Sequence, residues 1–124
     1  MRYIITTLIA VLACASVNAH ELTPTYPEFR QSIYNNVLST TMTIFNRRED
    51  ISFYQIEVYD IDWNPIEFAA RKVVLNVDYL ERATFEVYVK GADVQNVTYI
   101  CTRSKILKGE SISVVASNIC SKVK

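Results

Sequence analysis

The 124-residue sequence has only two glycines, Gly91 and Gly109, and a single histidine, His20. So few glycines exclude a glycine-rich phosphate-binding loop. One imidazole is too few for familiar zinc sets or a conventional copper brace, and no nucleophile–base arrangement is recognisable beyond what His20 could join. Charge of either sign is also missing in excess, with 13 basic and 13 acidic residues. That balance removes the electrostatic footprint of a nucleic-acid binder or a polybasic membrane anchor. No apolar run is long enough for a stable membrane span. After residue 28 no stretch holds a helical period for long. The expectation is a non-enzymatic chain without a cofactor.

What is present begins with "MRYIITTLIAVLACASVNA". A basic Arg2, an apolar run from Tyr3 to Leu12 and small residues up to Ala19 make the three-part layout of a secretory signal. The domain organisation read from this is a signal over 1–19 and one domain over 20–124. An alternative is lipidation at Cys14 of "VLAC", which would make the protein a membrane-anchored lipoprotein. Either route exports the chain, with the periplasm as the expected location and an outer-membrane or extracellular site as the alternative. Cys101 and Cys120 then remain as an even pair in an oxidising compartment, and a structural disulfide is expected. At the mature N-terminus His20 is expected to be a disordered terminal residue, copper chelation being the rarer alternative.

Strand periodicity dominates the rest. "VLSTTMTIFN" places Leu38, Thr40, Met42 and Ile44 on one face, and "ISFYQIEVYD" does the same with Tyr54, Ile56 and Val58. "RATFEVYVKG" alternates Phe85, Val87 and Val89 inward against Thr84, Glu86, Tyr88 and Lys90 outward. "RKVVLNV", "NVTYICT" and "SISVVAS" complete the series, with turns at "NRRED", Asp60 to Pro65, "NVDYLE" and "KILKGE". Short strands punctuated at such intervals predict an all-β antiparallel sandwich of about seven strands. Cys101 would close one strand and Cys120 would follow the last, so the disulfide is expected to clamp the terminal strand. Asn96, in "NVT", is a glycosylation acceptor if the host glycosylates exported proteins. Outward Tyr59 and Tyr88 suit either a contact surface or cross-strand pairing.

The run "TMTIFNRREDISFYQIEVYDIDWNPIEF" with "VVLNVDYLERATFEVYVKG", roughly residues 40 to 91, resembles the N-terminal immunoglobulin-like domain of periplasmic pilus-assembly chaperones, the PapD-like family. The resemblance implies an immunoglobulin-like fold in a single-domain relative, and capping of a pilus or surface-structure subunit by β-strand addition. The strand it points to carries Ile112, Val114 and Ala116, whose alternation suits an ordinary core-facing strand as well. It also implies Arg30 and Lys122 as candidate carboxylate anchors, and one subclass ties its final two strands by a disulfide. The competing reading is a structural subunit or lipoprotein of a surface or secretion apparatus. No nucleic-acid partner is expected, and a membrane partner only through Cys14.

Overall fold

The computed structural model describes residues 19–106 and 116–124. Within them the chain forms eight strands and one short 3-10 turn. The strands are β1 (Glu21–Thr23), β2 (Arg30–Gln31), β3 (Val37–Phe45), β4 (Phe53–Tyr59), β5 (Val74–Asn76), β6 (Arg82–Lys90), β7 (Tyr99–Lys105) and β8 (Asn118–Lys122). β3 is the hub of one sheet, with β6 along one side and β1 and β2 in succession along the other. The second sheet runs β5-β4-β7-β8, and all pairings in both sheets are antiparallel.

Period-two alternation explains why these segments become strands with one face buried. In β3 the buried side is Thr40, Met42 and Ile44; in β4 it is Tyr54, Ile56 and Val58; in β6 it is Phe85, Val87 and Val89. Ile100 joins them from β7, and Leu22, Ile51, Leu75, Val77 and Val97 fill the margins of a single apolar cluster shared by both sheets. Fully burying an aliphatic side chain of this kind stabilises by about 2 kcal/mol. This is the layering of a β-sandwich.

Two joints position the edges. After Thr23 the chain leaves β3, and the segment from Pro24 to Glu28 crosses to β8, where the Lys122 and Lys124 N–H groups donate to the Thr25 and Pro27 carbonyls at 3.1 and 3.0 Å. Both residue numbers rise together, so this short contact is parallel. At the other side of the molecule Ala69 bridges Tyr88 with 2.8 and 2.9 Å bonds, after which the chain departs toward β4 and becomes β5.

Several expectations need correction. Asn96 lies in the 3-10 turn Val94–Asn96 rather than in a strand, and β7 starts only at Tyr99. "RKVVLNV" contributes just Val74–Asn76. Of the expected strand "SISVVAS", residues 111–115, including Ile112 and Val114, lie outside the described residues. Ala116 is exposed and precedes β8, and neither it nor Ser117 is in a strand. The last described strand is Asn118–Lys122, and Cys120 sits inside it rather than after it. Residues 1–18, with Cys14 and all but the last residue of the expected signal, also fall outside the described residues.

Candidate partner-binding edge

The β7–β8 pair is in register at Tyr99↔Lys122, Cys101↔Cys120 and Arg103↔Asn118. The Val123 N–H donates to the Thr98 carbonyl and the Ser104 N–H to the Ser117 carbonyl. Those bonds fix the alternation: residues 117, 119, 121 and 123 turn their backbone groups toward β7, and residues 118, 120, 122 and 124 turn theirs away. Lys122 and Lys124 are met by the Thr25–Pro27 segment. Asn118 and Cys120 have no backbone partner among the described residues. In a parallel ladder the residue at position 27 would return an N–H to the Lys122 carbonyl, and Pro27 has none to give. Among the described residues the β8 edge is therefore hydrogen-bonded at its far end and unpaired at Asn118 and Cys120.

The Cys101–Cys120 disulfide spans the two strands at a directly opposed pair, with Cα atoms 4.0 Å apart. Cys101 is fully buried, and its sulfur lies on the face turned away from the core, since Ile100 and Thr102 on either side point inward. The bond holds β8 in place beside the open stretch. Closing a loop of this size stabilises by about 3 kcal/mol on the chain-entropy model.

His20 is a second fastening, and the expectation of a disordered terminal residue is wrong. The ring is buried, 2% exposed, and packs against Tyr54 at 4.5 Å between centroids. Its Nε2 lies 3.0 Å from the Thr102 carbonyl oxygen and 2.7 Å from Thr102 Oγ1; Nδ1 lies 3.1 Å from Ser117 Oγ. A carbonyl can only accept, so Nε2 carries the proton, and Nδ1 of the neutral ring accepts from the Ser117 hydroxyl. Burial lowers the His20 pKa from 6.5 to about 4, opposed by the Thr102 bond and aided by the Arg48 charge. The ring thus pins the residue before β1 to β7 and to the approach of β8. Both nitrogens are engaged, and among the described residues no cluster of three or more His, Cys, Asp or Glu side chains is placed to share a metal.

Behind His20 the polar groups are all met. Tyr54 donates to Asn46 Oδ1 at 2.6 Å, which also accepts the Arg48 N–H at 2.8 Å, and Asn46 Nδ2 donates to the Ile51 and Val77 carbonyls. Arg48 reaches out to Asp50 at 2.6 Å and holds that carboxyl below its usual range. Burial raises the Tyr54 hydroxyl to about 12. A buried network with every member satisfied rigidifies the end of the sandwich from which the β8 edge is presented.

On the outer face of the same sheet, Trp63 stacks on Tyr99 at 4.0 Å with planes 2° apart, and Tyr59 lies 5.7 Å from Trp63. Trp63 has a φ of 63° in the Asp60–Pro65 turn, where Asp60 Oδ1 accepts the Asp62 and Asn64 N–H groups. A left-handed tryptophan costs roughly 1–2 kcal/mol, so the turn and the stacking together hold it there. Glu57 accepts from the Tyr59 hydroxyl, raising the tyrosine pKa, and pairs with Arg103 at 3.1 Å.

Arg30 and Lys122 stand on different elements, β2 and β8, joined through the Pro24–Glu28 crossing. Both are exposed, and among the described residues neither forms an ion pair. Sequence reasoning missed His20, Asn46 and the Trp63 platform. Only Trp63, in a turn rich in Asp and Asn beside aromatic strands, carried a local signal.

No family model matches the chain, and no curated protein matches it.

Proposed function

We propose that this chain is an exported, non-catalytic binding domain, chaperone-like or an assembly accessory, that receives an extended segment of another protein along the open edge of β8. The observation that carries this reading is the pair of outward-facing backbone positions at Asn118 and Cys120, without backbone partners among the described residues, on a strand braced by a disulfide and by His20. Added strands gain main-chain hydrogen bonds from such an edge, and alternate side chains supply specificity. The sequence alternation at Ile112, Val114 and Ala116, the first two outside the described residues, is in keeping with the same reading. The resemblance to the PapD-like immunoglobulin domain supports the same mode, with a pilus or surface-structure subunit as partner and the periplasm as its place of work. Arg30 and Lys122, without ion pairs among the described residues, are the cations that would meet a carboxylate at the partner's end.

The test is site-specific photo-crosslinking in the native host from Ala116, with Thr41 on the outer face of β3 as control. The expected result is a discrete adduct from Ala116 that disappears with Asn118→Pro. That substitution removes an N–H pointing away from β7 and leaves the β7–β8 bonds in place. Equal adducts from Thr41, or adducts indifferent to Asn118→Pro in a normally folded protein, would refute the edge as the binding site.

A further inference from the structure

The second exposed edge belongs to β6, and its chemistry is different. The Asn46 N–H donates to the Glu81 carbonyl and the Gly91 N–H to the Asn36 carbonyl, which sets the alternation along the whole β3–β6 ladder. Residues 82, 84, 86, 88 and 90 consequently turn their backbone groups away from β3. Tyr88 is met by Ala69. Arg82, Thr84 and Glu86 have no backbone partner on that side among the described residues. The strand that could cover them is diverted: the Val73 carbonyl accepts from the Ile56 N–H, and β5 joins β4. The diversion leaves a groove of about 520 Å³ beside Thr84 and Glu86, walled by Arg71, Lys72 and Leu75.

We infer that this edge pairs with the same edge of a second copy of the chain, antiparallel about Thr84. The order Arg82, Thr84, Glu86 is self-complementary. Placing Thr84 opposite its symmetry mate puts Arg82 opposite Glu86 of the other copy, and Glu86 opposite Arg82, all three on exposed positions of the same sheet face. Because all three residues point their backbone groups outward, each opposed pair exchanges two N–H···O bonds. The contact is isologous, as a two-fold dimer requires. Opposite charges and paired threonines are favourable cross-strand neighbours, and like charges directly opposed are not. A slip by two residues brings Thr84 against Arg82 in one direction or against Glu86 in the other, and either forfeits both ion pairs, so charge fixes the register. Arg82 is already oriented on this face, its guanidinium 4.3 Å from the centre of the Phe45 ring, and the Thr84 hydroxyl sits 3.3 Å from that of Thr43. Tyr88 donates to Glu86 from along the same strand, which orders the carboxylate on this face. Ala69 caps the pairing at Tyr88, so the edge does not extend into an open-ended array. The short contact belongs to the small, transient class of interfaces.

Sedimentation equilibrium on the oxidised protein, from micromolar to millimolar concentration, tests this. The wild type is expected to show a reversible monomer–dimer equilibrium. Arg82→Glu and Glu86→Arg, each alone, are expected to weaken it at least tenfold, and the double swap to restore it, with far-UV circular dichroism unchanged throughout. Thr84→Pro, which removes an outward N–H, is expected to abolish it. A wild type that stays monomeric at millimolar concentration would overturn the inference. So would single swaps without effect, or a double swap that fails to restore pairing.

Discussion

Two of the sheet edges, along β8 and β6, have unpaired stretches among the described residues, and they differ in opposite ways. Along β8 the far end is met by a crossing segment that carries Pro24 and Pro27, and the near end, at Asn118 and Cys120, is uncharged, without a backbone partner among the described residues, and anchored by a disulfide. Along β6 the exposed stretch is charged and self-complementary in sign, and Ala69 stops it at one end. Exposed edges invite indiscriminate pairing unless something limits it. Here β6 limits its partners by charge register, and β8 by length and by a proline that returns no N–H. An edge that encodes its own complement suits self-association; an edge that encodes none suits a partner that brings its own side chains.

The largest effect that would break the contrast is removal of the disulfide. The double substitution Cys101→Ser and Cys120→Ser is expected to lower stability by about 3 kcal/mol in urea unfolding. It should also abolish crosslinking at β8 and spare the dimer at β6. Acid comes next. The His20 pKa is depressed to about 4 in the folded state from 6.5, so the unfolded chain binds the extra proton first. Its contribution is complete above pH 6.5 and is lost as pH falls toward 4, by up to about 3 kcal/mol. Urea titrations between pH 7 and 5 should show stability falling with acid, and His20→Gln should flatten that slope. His20→Ala should cost about 2 kcal/mol at pH 7 by leaving Thr102 and Ser117 without their ring partner. Amide exchange should then quicken at Ser104, whose N–H donates to the Ser117 carbonyl, and be unaltered at Gly91, whose N–H donates to the Asn36 carbonyl. The smallest effect is the single charge swap at Arg82, a tenfold change in dimerisation and little change in melting temperature.

How much of this was legible in the sequence depended on whether a signal was local. Tyr54, Ile56 and Val58, like Phe85, Val87 and Val89, announced their burial because a sheet packed on one side imposes a period of two. The disulfide was expected from the pair of cysteines that remains when Cys14 is read as part of an export signal. β1 and β2 were invisible because they have three and two residues and are separated by prolines, too short for any period to register. β8 was displaced in the reading because "SISVVAS" alternates more cleanly than "NICSK", whose inner face is Ile119 and a buried Ser121. His20 could not be read at all, since its partners lie 82 and 97 residues away. The two edges share that difficulty: they are set by where the chain leaves β3 after Thr23 and β6 after Ala69, which are tertiary decisions.

One measurement reaches both edges at once: residue-resolved amide hydrogen exchange by NMR on the oxidised protein, at low and high concentration and then with the crosslinked partner added. The account predicts that Arg82, Thr84 and Glu86 gain protection with concentration alone, and that Asn118 and Cys120 stay unprotected until the partner is present. Protection of Asn118 and Cys120 in the isolated protein, or none at Thr84 at any concentration, would contradict it.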